Sequence, residues 1–206
     1  MYIPLEPDKY YHIYNHANGS ENLFVNDGNY YFFLKRYAHF ISPVVQTFAY
    51  CLMPNHFHLL IKINSEEKLA NYFNSLDESN TNYSSPYEKL ISKQFSNFFS
   101  SYTQAFNKQQ HRMGSLFIKN FKRKYISDRD YLLKMVNYIH LNPVRHGFCE
   151  SPRDWEFSSY NSLLSEQESD LVNKEVIMWF EDRENFICCN ESLAADVEDE
   201  LQIETL

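Results

Sequence analysis

The sequence predicts an α+β fold: a ferredoxin-like antiparallel β-sheet with helices packed on one face, in the order β-α-β-β-α-β-α, plus a C-terminal helical or irregular acidic extension. Three observations predict it. Short runs of alternating apolar residues recur at strand length, and runs with apolar residues three and four apart lie between them. At 206 residues, 44% hydrophobic and 17% aromatic, the chain can bury one good core.

Tyr10 to His16 is rich in Tyr and Ile and stops at the turn-forming pair Asn18-Gly19, as a strand does. Asp27 to Ile41 follows as a helix, with Asp27 placed to cap it and Tyr31, Leu34, Ala38 and Ile41 at helical spacing before Pro43. Val44 to Leu52 is a second strand. The turn Met53-Pro54-Asn55 leads into a third, His56 to Ile63, in which Phe57, Leu59, Ile61 and Ile63 share one face. The second and third strands form a hairpin.

Residues 64 to 87 are polar and rich in Ser and Asn, the composition of a loop or a poorly ordered insertion. Leu90, Ile91, Phe95, Phe98, Phe99, Tyr102 and Phe106 then mark the apolar stripe of a long amphipathic helix. Leu116 to Ile126 reads as a strand interrupted by basic residues. Ser127 and Asp130 resemble a capping box, opening a helix that runs to about Leu141 and ends near Asn142, because Pro143 follows. A fold of this kind hosts many activities, so function must be read from side chains.

Net charge is −8, and a pI near 5.5 is low for a nucleic-acid binder. The average conceals an asymmetry. Residues 1 to 149 hold 16 Lys and Arg against 11 Asp and Glu, whereas residues 150 to 206 hold 3 against 16. The division suggests a main domain over 1–150 and an acidic extension over 151–206, either a solvated surface or a shield over the basic part. The 4 cysteines lack paired spacing and read as reduced thiols. With no signal peptide and no long apolar run, the expected compartment is the cytoplasm and no membrane partner is expected.

His56-Phe57-His58 is the first candidate site. On a strand, residues two apart leave the same face, so one ion can reach both imidazoles; the same pair can also hydrogen-bond across a sheet. Tyr138 and Asn142 are the second. Four apart on a helix, their side chains project together, although a half-buried core tyrosine and a helix-capping asparagine would share that spacing. Residues 108 to 124 carry Lys108, Arg112, Lys119, Lys122, Arg123 and Lys124 without an acid, with Phe117, Phe121 and nearby Tyr125 interleaved. Cations follow a phosphate backbone and aromatics stack unpaired bases, but a solvated basic hairpin with core aromatics has the same pattern. Arg145 is a further candidate phosphate contact.

The segments Met53-Pro54-Asn55-His56-Phe57-His58-Leu59-Leu60 and Tyr138-Ile139-His140-Leu141-Asn142-Pro143-Val144-Arg145 resemble the two signature motifs of single-tyrosine HUH transposases, specifically the REP-associated tyrosine transposase branch. Tyr11-His12-Ile13-Tyr14-Asn15, Gly114-Ser115-Leu116-Phe117 and Trp155-Glu156-Phe157-Ser158-Ser159-Tyr160 are similar to that branch too. The resemblance spans about residues 10 to 160. One departure is His146, where the family more often has a small residue before Gly147.

The resemblance implies an HUH transposase-like catalytic domain over 1–150, with His56 and His58 as metal ligands, Tyr138 as nucleophile and Asn142 as third ligand. It implies Mg²⁺ or Mn²⁺, single-stranded DNA containing a hairpin as substrate, a 5′-phosphotyrosine intermediate, and a monomer or homodimer. Two other functions fit the same residues: a metal-dependent phosphodiester hydrolase in which Tyr138 only packs, and a domesticated DNA-binding protein without strand transfer.

Overall fold

Alternating side chains on Tyr10–His16 (β1), Val45–Leu52 (β2), His56–Ile63 (β3) and Lys122–Ile126 (β4) build a four-stranded sheet in the computed structural model, which describes residues 3–76, 86–167 and 169–191. All pairings are antiparallel in the order β2-β3-β1-β4, the ferredoxin-like order expected. β1 and β3 are central, and Tyr14 pairs with His58 and His16 with His56. The strand expected over Leu116 to Ile126 is shorter than its apolar content suggested. Phe117 makes only an isolated bridge to Ala17, and pairing proper begins at Lys122.

Two helices, Asp27–Phe40 (α1) and Glu88–Gln109 (α3), cover one face of the sheet. Phe57 points at both, its ring 5.3 Å from Phe33 of α1 and 5.9 Å from Phe99 of α3. Burying such rings contributes about 1.5–3 kcal/mol each. Sequence periodicity had placed the buried stripe of α1 on Tyr31, Leu34 and Ala38. The buried face is Asn29, Tyr30, Phe33 and Tyr37, with Tyr31 exposed, because a helix this rich in aromatics carries two stripes one residue apart. Its cap is Asn26, whose side chain accepts from Asn29 N, and not Asp27.

Part of the stretch expected to be a loop is a helix, Glu66–Ser75 (α2), capped by Ser65 and held by buried Leu69 and Phe73 four residues apart. Residues 77–85 of that stretch lie outside the described residues. The helix carrying Tyr138, Arg129–Arg145 (α4), lies on the opposite face of the sheet from α1 and α3, since Tyr138 meets His58 while Phe57 points the other way. Asp128, accepting from Tyr131 N, caps it in place of Ser127.

α4 also runs past Pro143, which was expected to end it. Proline removes one backbone donor, but here it sits in the last turn, and the stop comes four residues later. Gly147 adopts φ +72°, Gly147 N donates to Val144 O at 3.0 Å, and Phe148 N donates to Pro143 O at 2.9 Å. These are the two bonds of a Schellman stop. Asn142 is therefore locked inside a helix, and Arg145 follows on the same face.

The expected acidic extension is helical and irregular as far as it is described: a 3₁₀ turn at Pro152–Asp154, then Tyr160–Leu164 (α5), Glu175–Trp179 (α6) and Arg183–Glu191 (α7). It packs on the same core through Tyr160, Val176 and Phe186. Residues 157–159 run along the β2 edge, with Leu52 N donating to Phe157 O and Ser159 N to Tyr50 O, both at 2.9 Å. Among the described residues, no helix is long and apolar enough to cross a membrane.

Candidate active site

The parity of β3 sends His56 and His58 toward α4, where both are almost fully buried. Their rings lie 5.1 Å apart, and the Tyr138 ring stands edge-on to His58 at 5.3 Å. One turn further along α4, Asn142 Oδ1 lies 3.0 Å from His56 Nε2. The two halves of the expected site, one on a strand and one on a helix, thus meet within one chain. The Arg145 guanidinium is 5.7 Å from the centre of the Tyr138 ring, on the helical face that Tyr138 and Asn142 share.

Burial sets the protonation of the histidines. Desolvation, opposed by the Asn142 contact and aided by His146 and His16, pushes the His56 pKa down to about 4. His58 is driven well below its ordinary value, again chiefly by burial and then by neighbouring imidazoles. Both are neutral at pH 7, the form that binds metals.

Neutrality exposes a mismatch around His56. Its Nδ1 faces Asn55 Oδ1 at 2.8 Å and its Nε2 faces Asn142 Oδ1 at 3.0 Å, yet a neutral imidazole has one proton for these two acceptors. With that proton on Nδ1, the Nε2 and Oδ1 lone pairs confront each other. Asn142 Nδ2, meanwhile, is buried without a hydrogen-bond partner among the described residues. A divalent cation held between the two atoms would remove the conflict. Among the described residues no three His, Cys, Asp or Glu side chains group to hold an ion. A metal here needs the Asn142 amide beside the two imidazoles, and that mixed set suits Mg²⁺ or Mn²⁺.

The basic residues divide. Strand parity puts Lys122, paired with Tyr14, and Lys124, paired with His12, on the histidine face, with the Lys124 ammonium 4.8 Å from the centre of the Tyr131 ring. Arg123 faces the other way. With Lys119 it lines a cleft of about 720 Å³ between α3 and residues 114–123. Arg112 is held at home by Glu21 and Asn107 Oδ1, both at 2.5 Å, and braces its own turn. Of the interleaved aromatics, Phe117 is buried and Phe121 stacks on Phe95 at 4.8 Å, leaving Tyr125 as the exposed ring.

Several residues beside the site carried no assigned role in the sequence. His12 is fully buried, with Nε2 3.0 Å from His58 Nδ1. His16 and His146 flank His56, at 6.0 and 5.3 Å between ring centres. Only the period-two spacing of His12, Tyr14 and His16 hinted that β1 turns the same face toward α4 as His56 and His58.

The two segments that resemble signature motifs of single-tyrosine HUH transposases thus meet, two histidines of an antiparallel sheet facing a tyrosine-bearing helix. The chain is 30% identical over 118 residues to a Haemophilus influenzae protein named as a REP-associated tyrosine transposase, a match covering 56% of this chain. It spans 59% of that relative's length. The fold is similar to the solved structure of a REP-associated tyrosine transposase bound to a REP hairpin, with a TM-score of 0.56, 14% identity and coverage of 85% of this chain and 91% of the other. No family model matches the sequence. Both comparisons lead to proteins named as REP-associated tyrosine transposases, which this chain resembles in sequence over 118 residues and in fold.

Proposed function

We propose that this chain cleaves and rejoins single-stranded, hairpin-containing DNA through a 5′-phosphotyrosine intermediate on Tyr138. One observation carries the reading: a single helix turn brings Tyr138 against His58 and Asn142 against His56. The Asn142 amide nitrogen, buried without a hydrogen-bond partner among the described residues, supports a role for Asn142 beyond capping.

His56, His58 and Asn142 would hold a divalent cation, Mg²⁺ or Mn²⁺, which when bound would supply Lewis-acid polarisation of the scissile phosphate. The remaining work belongs to side chains. A phenol of ordinary pKa about 10 is a weak nucleophile at neutral pH, so it needs positioning and a polarised target. Helix α4 provides the positioning, and the Arg145 guanidinium lies over the Tyr138 ring, 5.7 Å from its centre. Attack forms the bond from Tyr138 Oη to phosphorus and breaks the bond to the 3′ oxygen. The phenol proton is lost and the leaving oxygen gains one. One phosphoester replaces another, so a 3′-OH can reverse the step without a nucleotide cofactor. Lys122 and Lys124, on the histidine face of β4, steer the phosphate backbone toward the site.

The test is incubation with single-stranded hairpin DNA and Mn²⁺, followed by denaturing electrophoresis. The expected result is a covalent protein–DNA adduct that Tyr138→Phe abolishes while DNA binding persists. Product with a free 5′ phosphate from a fully active Tyr138→Phe variant would establish the hydrolase instead. Binding without cleavage in any metal would establish a DNA-binding protein that has lost the chemistry.

A further inference from the structure

We propose that His12 is a positioning residue for His58, fixing the tautomer in which His58 Nε2 keeps its lone pair for the divalent ion. The inference rests on the metal-ligand role proposed above for His58.

His12 lies on β1 opposite Leu60, two residues from Tyr14, the register partner of His58, and on the same face of the strand. Its ring is stacked at 18° to that of His58, 5.1 Å between centres, with Nε2 3.0 Å from His58 Nδ1. Tyr14 stacks on His12 at 4.7 Å and the Tyr138 ring meets it edge-on at 6.1 Å, so His12 has no room to turn. Between two neutral imidazoles in such contact there is one proton. If it sits on His58 Nδ1, His58 Nε2 carries a lone pair. If it sits on His12 Nε2, His58 Nε2 is protonated and cannot ligate.

The remaining nitrogen of His12 bears on the choice of residue. His12 Nδ1 is buried with no hydrogen-bond partner among the described residues. Leucine or phenylalanine would fill the slot without an unmet polar atom, so an imidazole is justified there only by its contact with His58. His56 has a parallel arrangement, its Nδ1 facing Asn55 Oδ1 at 2.8 Å. Ligating histidines commonly donate their second N–H in this way, which orients the ring and strengthens the ligand. Asn55 serves His56, and His12 serves His58.

Long-range ¹H–¹⁵N correlation on the metal-free protein reads the tautomer directly. The expected result is a His58 protonated at Nδ1; protonation at Nε2 overturns the positioning role and leaves the metal reading standing. Mn²⁺ titration then separates contact from packing. His12→Phe is expected to weaken Mn²⁺ binding about 10–100-fold, while His12→Gln, whose Oε1 accepts the same N–H, stays within about threefold of wild type. Wild-type affinity in His12→Phe overturns the inference. If that variant does not fold, the tautomer of the wild-type protein decides. A wild-type protein that binds no Mn²⁺ overturns the metal reading and this inference with it.

Discussion

Asn142 Oδ1 and His56 Nε2 lie 3.0 Å apart, and the amide nitrogen of Asn142 is buried without a hydrogen-bond partner among the described residues. If a shared cation is the reason, the site responds to charge at position 142. Asn142→Ala is expected to weaken Mn²⁺ binding roughly tenfold or more, whereas Asn142→Asp, an anionic oxygen ligand, strengthens it. Calorimetric titration with Mn²⁺ checks both. Equal affinity in all three proteins would make the contact a packing detail.

The basic residues are expected to separate in a salt titration of DNA binding. Lys122→Ala with Lys124→Ala lowers affinity for single-stranded DNA and flattens the dependence of log affinity on log salt by roughly 0.7 per lysine. Arg112→Ala leaves that slope unchanged and instead lowers thermal stability, because Arg112 is spent on Glu21 and Asn107. Fluorescence anisotropy across salt concentrations, beside a melting curve, distinguishes the two.

Gly147 ends α4 with φ +72°, and a Cβ added there meets no heavy atom within 4 Å. Gly147→Ala therefore isolates backbone cost from crowding, and about 1 kcal/mol of destabilisation is expected. The last turn carries Asn142 and Arg145, so Mn²⁺ affinity should fall along with the melting temperature.

Much of this was legible in the sequence. Strand spacing placed β1 and β3 at their observed limits, and parity put His56 and His58 on one face with Phe57 on the other. Tyr138 and Asn142 shared a helical face as their spacing required. What failed was local. Pro143 reads as a stop, but a proline in the last turn loses one hydrogen bond, and Gly147 supplies a better exit. Leu69 and Phe73 are too few apolar residues to outweigh the polar stretch around them, so α2 read as loop. The contact of His12 with His58 spans two strands and 46 residues, and no local pattern reports it.

Acid should unfold the protein. His12, His56 and His140 are buried, and burial lowers their pKa values to about 3, 4 and 4. Above pH about 6.5 both folded and unfolded chains hold them neutral, and they add no pH dependence. Below it the unfolded chain takes up protons that the folded chain refuses, so stability falls from there toward pH 4. Each histidine contributes on the order of 1.4 kcal/mol per pH unit. Urea midpoints measured from pH 7.5 to 5 are expected to drop steeply below pH 6.5. A flat profile would mean these imidazoles protonate in place.

The central claim is that Tyr138 becomes bonded to DNA, and peptide mapping by mass spectrometry tests it most directly. Protein incubated with hairpin-containing single-stranded DNA and Mn²⁺, then digested with nuclease and protease, should yield a peptide containing Tyr138 that carries a nucleotide through its 5′ phosphate. Cleaved DNA with no modified peptide, or a nucleotide attached to another residue, would contradict it.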